Sequence, residues 1–136
     1  MMSRDPRSNR LIAALPVALL DLALIVVFAA IGRRSHDEGS ALGGTLVVAA
    51  PFLIGYVIAA TIGRLDRDPR GVRRGVVVAV GAVVIGLGLR GTLFDRGLAP
   101  AFVVVALITI TALLVGWRLI ATRIAPRGTR DASTPR

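Results

Sequence analysis

The chain has 136 residues, 54% of them hydrophobic, with a mean hydropathy of +0.74, which is far more apolar than a soluble domain of this length. Its formal net charge of +9 comes from 17 basic residues, all arginine, against 8 acidic ones, and it contains no cysteine. The missing thiols exclude disulfides, thiol catalysis, Cys-ligated zinc and iron–sulfur clusters. In a soluble protein such a charge balance would point to nucleic acid. Here four Phe, one Tyr and one Trp are too few and too scattered to form a base-stacking platform, so no nucleic-acid partner is expected.

A short basic tail, residues 1–10, carries Arg4, Arg7 and Arg10 and leads into the first apolar run, residues 11–31. The apolar part of a signal peptide is only about 7–15 residues long, so this run is read as a spanning helix and an uncleaved anchor. Asp21 stands at its centre. A carboxylate in the middle of a membrane helix costs about 2.5–3.5 kcal/mol on insertion scales, so some partner in the folded protein must offset it. Pro16 lies five residues earlier and removes one backbone hydrogen bond, as Pro51 does in the second run.

After the first run comes the densest polar cluster: Arg33, Arg34, Ser35, His36, Asp37 and Glu38. Arg33 with Asp37 and Arg34 with Glu38 have the four-residue spacing at which side chains meet on a helix. The cluster reads either as a solvated patch that neutralises two arginines or as a polar mouth for an anion, headgroup or substrate. His36 is the only histidine, and two acids beside it supply no second soft ligand, so no metal and no cofactor are expected.

The second run covers residues 45–63, the third 75–94 with Arg90 near its end, and the fourth 98–121 with Trp117 and Arg118 near its end. Each suffices to cross a hydrocarbon core of about 30 Å as a helix. The three-residue link Asp95-Arg96-Gly97 makes the third and fourth helices antiparallel neighbours. Residues 122–136 form a basic, polar tail expected to be disordered. Small residues at near-helical spacing mark packing faces: Gly55, Ala59 and Gly63; Gly75, Ala79, Ala82 and Gly86; Ala112 and Gly116. They serve packing within the bundle or, along one stripe, a homodimer. Tyr56, Thr109 and Thr111 offer hydroxyls within the apolar runs, though threonine in lipid usually bonds its own preceding turn.

The arginines set the orientation. Three lie in the first tail, five in the 64–74 connection (Arg64, Arg67, Arg70, Arg73, Arg74) and five at the C-terminal end (Arg118, Arg123, Arg127, Arg130, Arg136), thirteen on one side. Arg33, Arg34, Arg90 and Arg96 make four on the other. The positive-inside rule then puts both termini and the 64–74 connection in the cytoplasm, with the arginines available to anionic headgroups. Counting depth from the outer boundary puts Asp21 about 15 Å and Arg90 about 6 Å into the membrane. An extended arginine spans that gap, so Arg90 is the expected partner of Asp21; the alternative has Arg90 snorkelling to the outer headgroups. No phosphate-binding loop or Gly-x-Ser-x-Gly motif is present, and a nucleophile–base pair is hard to assemble without cysteine and with one histidine, so no enzyme is expected.

Several stretches resemble a known family. Leu20-Asp21-Leu22, then Ala30-Ile31-Gly32-Arg33-Arg34-Ser35-His36 and Glu38-Gly39, resemble the opening of the domain of unknown function 3054, small membrane proteins seen mostly in actinobacteria and haloarchaea. Further matches are Pro51-Phe52-Leu53, Pro69 with Gly71-Val72, Leu89-Arg90, Phe102-Val103-Val104-Val105-Ala106 and Gly116-Trp117-Arg118, so that the resemblance covers residues 15–120. The Gly-Arg-Arg-Ser-His stretch is its most specific part. The chain departs from the family at residues 77–80, all aliphatic where a tryptophan is expected. The resemblance implies a four-helix membrane protein and no established activity.

The expectation is therefore an all-α, up-down-up-down bundle of four transmembrane helices with both termini cytoplasmic, multi-pass in a bacterial plasma membrane. Its role is expected to be structural or accessory, with a buried Asp–Arg pair. The alternative is a small proton- or ion-coupled transporter with Asp21 as the coupling carboxylate; small multidrug transporters share its architecture, though they often lack so strong a charge bias.

Overall fold

The structure, a computed structural model, describes residues 5–33, 41–94 and 97–125. Four α-helices make up nearly all of it: α1 (Pro6–Arg33), α2 (Ala41–Ile62), α3 (Val72–Thr92) and α4 (Pro100–Ile124), with a 3₁₀ turn (Leu65–Arg67) between α2 and α3. All four are long and apolar enough to cross a membrane.

The helices outrun the apolar segments that announce them. Helix α1 begins at Pro6 rather than at residue 11, because Asp5 Oδ1 accepts the Arg7 N–H at 3.1 Å and Pro6 fills the first helical position, where no N–H is needed. Helix α4 likewise opens on Pro100 and runs to Ile124, so the start of the tail expected from residue 122 is helical. The rest of that tail, residues 126–136, lies outside the described residues. Both α1 and α2 continue through their prolines. Pro16 is exposed and Pro51 is buried; five residues set Pro16 about 140° around α1 from Asp21, so it does not open a space beside that carboxylate.

Helices α2 and α3 pack most extensively, through the stripes of small residues. A Cβ on Gly55 would lie 2.5 Å from the Ala82 carbonyl oxygen and 2.8 Å from the Gly86 nitrogen, while one on Gly63 would lie 3.3 Å from Val78. Forward steps along α2 thus meet backward steps along α3, and the two pass in opposite senses at close backbone approach. Helices α3 and α4 also run in opposite senses, Gly75 meeting the Arg118 side chain at one end and Gly91 meeting that of Leu98, just before α4, at the other. Ala112 and Gly116 are different: Ala112 is exposed, and a Cβ on Gly116 would touch nothing within 4 Å, so the bundle makes no use of that stripe.

The core runs along the interior, with Phe52 of α2 at its centre. Its ring meets Phe28 edge-on at 6.0 Å and Phe102 at 6.2 Å. The outward faces are equally apolar: Leu19, Ile62 and Ile108 are 64%, 75% and 63% exposed, an arrangement suited to lipid and not to water. The connection after α2 is folded tightly against the bundle. Arg64 takes a left-handed conformation (φ 52°), which turns the chain so that Leu65 is buried. Arg74 Nη1 then donates to the Gly63 and Arg64 carbonyl oxygens, both at 3.0 Å, and satisfies the end of α2.

Candidate functional site: a buried carboxylate–guanidinium cluster

Each helix that contributes to the site places a polar residue on its buried stripe. On α1 that stripe is Ala14, Val17, Asp21, Ile25 and Phe28. On α2 it is Ala49, Phe52, Tyr56 and Ala59, and on α4 it is Ala106, Ile110, Leu114 and Arg118. Packing the apolar members drives the polar ones inward with them, and they meet.

Asp21 and Arg118 are both wholly buried and form a two-pronged ion pair. Arg118 Nη2 donates to Asp21 Oδ2 at 2.7 Å and Nη1 to Oδ1 at 2.9 Å. The planar guanidinium matches the carboxylate in this parallel geometry, the strongest form of such a pair. Two further donors complete the carboxylate: the Tyr56 hydroxyl at 2.8 Å from Oδ2 and Trp117 Nε1 at 2.9 Å from Oδ1. The remaining capacity of Arg118 goes to the backbone, Nε to the Pro69 carbonyl oxygen at 3.1 Å and Nη1 to that of Leu114 at 2.6 Å. Its guanidinium also lies 4.6 Å from the Trp117 ring centre.

Helix α3 contributes by having nothing in the way. A Cβ on Gly75 would sit 2.6 Å from Arg118 Cδ and 2.9 Å from its Nε, so only glycine there leaves a path for the side chain. The cluster thereby ties α1, α2, α4 and the connection at Pro69 into one unit against α3. A buried charge is tolerable only when it is paired and hydrogen-bonded; here each carboxylate oxygen accepts two bonds, and every nitrogen of the guanidinium donates at least one, four of its five N–H groups being used.

The partner of Asp21 is therefore Arg118 and not Arg90. Arg118 lies against Gly75, and Arg90 is fifteen residues further along α3, about 22 Å at the rise of a helix. Arg90 is half-buried near the opposite end, its guanidinium 4.2 Å from the Phe102 ring centre. Depth counting from the outer boundary compared only residues on that side and treated Trp117 and Arg118 as a flank. The four-residue spacing of Ala106, Ile110 and Leu114, carried one step further, reaches Arg118 and is the sequence signal that identifies it. Tyr56 is legible in the same way, four residues after Phe52.

Of the outer polar cluster, Arg33 ends α1, and its guanidinium occupies the space beside Gly44 of α2. Arg34, Ser35, His36, Asp37 and Glu38 lie outside the described residues.

Four helices long and apolar enough to cross a membrane, locked round a buried ion pair, make this a small all-helical protein and suggest the multi-pass membrane class. The model of the family described as "Protein of unknown function (DUF3054)" matches residues 18–121, and the chain belongs to that family. No curated protein and no solved structure matches the chain. The matched segment contains Asp21, Tyr56, Trp117 and Arg118.

Proposed function

We propose that the protein is a non-enzymatic structural or accessory component of a bacterial plasma membrane, an up-down-up-down bundle with both termini and the 64–74 connection in the cytoplasm. The observation that carries this reading is the enclosure of the Asp21–Arg118 pair: four donors meet the carboxylate, four of the five guanidinium N–H groups donate hydrogen bonds, and both side chains are 0% exposed. A site closed in charge and in hydrogen bonding suits a latch that fixes helix register. The arginine bias supports the orientation, and it stands at twelve to three once Arg118 and Arg90, which lie within the bundle, are left out. A C-terminal reporter found on the outer side of the membrane would overturn it.

A second reading, proton- or ion-coupled transport through Asp21, is favoured by one feature. A groove between α1 and α2 reaches Tyr56, whose hydroxyl bonds the carboxylate. Flux into vesicles reconstituted with the wild type and with Asp21→Asn separates the two. The latch predicts no flux in either and an unstable variant. Flux in the wild type that disappears in a stable Asp21→Asn protein establishes the transporter instead.

A further inference from the structure

The groove between α1 and α2 has a volume of about 890 Å³ and changes character along its length. At one end Arg7 and Arg10 of α1 face Arg64 and Asp66 of the connection after α2. Beyond them the lining as far as Leu22 and Tyr56 is apolar apart from Thr61, whose hydroxyl donates to the Val57 carbonyl oxygen of its own helix, with Ala14, Ala18 and Ala60 keeping it open where larger side chains would close it. From Arg10 to Leu22 is twelve residues, about 18 Å of helix, which is the depth of one leaflet of a bilayer with its inner headgroup boundary.

The charges at the mouth are placed against their own interest. Arg7 and Arg10 sit in the first turns of α1, at the positive end of its dipole, where cations are unfavourable. Arg64 brings a third guanidinium to the same place from a left-handed backbone. Among the described residues none of these three forms a salt bridge. Among the lining residues three guanidiniums face the single carboxylate of Asp66, while Asp5 caps α1 through the Arg7 N–H; with an apolar slot one leaflet deep below them, they fit an anionic amphiphile.

We infer that this groove is a binding site for one anionic phospholipid of the cytoplasmic leaflet. Its phosphate is met by Arg7, Arg10 and Arg64, and one acyl chain lies along Leu11, Ala14, Ala18 and Leu22 towards Tyr56. The inference rests on the membrane reading and orientation proposed above, and goes beyond a general attraction of arginines to headgroups by assigning a single site with a chain-binding slot. The floor of that slot touches the latch through Tyr56, so the lipid and the ion pair share one side chain.

The test uses the full chain purified in neutral detergent, with phosphatidylglycerol and phosphatidylcholine of identical acyl chains as probes and native mass spectrometry to count retained lipids. The wild type is expected to retain one phosphatidylglycerol at least about tenfold more tightly than phosphatidylcholine, from three cationic contacts. Replacing Arg7, Arg10 and Arg64 together by glutamine removes that preference. Ala18→Leu, which fills the slot and leaves every charge in place, weakens retention of both lipids. Replacing Arg73 and Arg123 by glutamine, neither of which lines the groove, leaves the preference intact. Equal retention of the two lipids by the wild type, unchanged retention in either groove variant, or the same loss in the Arg73/Arg123 variant overturns the site. Carbonate extraction of native membranes tests the underlying reading separately. A protein that resists extraction yet shows no lipid preference removes the groove site alone, whereas a protein washed off by carbonate removes both.

Discussion

Two arginines enter the interior of this bundle, one towards each end, and each lies against an aromatic ring. Arg118 stacks beside Trp117 and is wholly buried, while Arg90 lies over Phe102 and is half-buried. The difference is the carboxylate. Asp21 neutralises Arg118 and lets its entire side chain leave solvent, drawing in a tyrosine, a tryptophan and a backbone carbonyl from the connection at Pro69. A cation–aromatic contact contributes about 0.5–2 kcal/mol, a small part of what full burial of a guanidinium requires, and Arg90 over Phe102 stays half-buried. Depth in such a bundle is thus decided by complete pairing and not by distance from the end of a helix.

The largest test of that comparison is to break the pair from either side. Asp21→Asn or Arg118→Gln leaves one buried charge without its counterpart, and each is expected to destabilise the protein by about 3–5 kcal/mol in denaturant titrations of the detergent-solubilised chain. Asp21→Leu combined with Arg118→Met removes both charges and should recover much of the loss, since an apolar pair of similar volume suits the same space. A double variant that loses the sum of the two singles would mean that the residues do not act as a unit.

The glycines of α3 sharpen the contrast next. Gly75→Ala puts a methyl group 2.6 Å from Arg118 Cδ and must displace the latch, for an expected loss of about 1–3 kcal/mol. Gly88, towards the Arg90 end, has open space where its Cβ would go. Gly88→Ala should therefore stabilise by about 0.5–1 kcal/mol, the ordinary gain of alanine over glycine within a helix. Opposite signs from the same substitution on one helix, read as shifts in thermal midpoint, would localise the demand for glycine to the latch. Tyr56→Phe keeps the ring in the core and removes one of four donors to the carboxylate, for an expected loss of about 1.5 kcal/mol, in the lower part of the Gly75→Ala range.

How much of this could be read in the chain follows the same division. The four helices were legible because apolar runs of membrane length carry their own signal, and only their ends moved, where Asp5 and Pro6 extend α1 below its apolar run. Asp21 was legible as a residue in need of a partner, because a lone carboxylate in such a run conflicts with its surroundings. The identity of the partner was harder to read. Depth along a helix is a one-dimensional measure; counted from the outer boundary it names Arg90 and does not test Arg118 from the other side. The azimuth round α4 decides between them, through the stripe that carries Ala106, Ile110 and Leu114 on to Arg118. Gly75 was visible as part of a small-residue stripe, yet its particular task, leaving room for a side chain from α4, exists only once α3 and α4 are packed.

The smallest predicted loss is the one that most directly separates the two arginines. Arg90→Gln gives up a cation–aromatic contact at a half-buried site, and the loss should be on the order of 1 kcal/mol. The informative quantity is its coupling to Asp21. If the carboxylate feels only Arg118, the Asp21→Asn/Arg90→Gln double variant should lose the sum of the single losses to within about 0.5 kcal/mol, as distant sites do. The Asp21/Arg118 cycle, by contrast, should show a coupling several times larger. A coupling of similar size in both cycles would mean that the charge of Asp21 is shared along the bundle interior, and that the closed geometry at Tyr56, Trp117 and Arg118 is only one of the arrangements the chain adopts. Near-additivity for Arg90 beside strong coupling for Arg118 would instead confine the electrostatics of this bundle to one end. The other arginine would then be held by the face of Phe102 and its local surroundings.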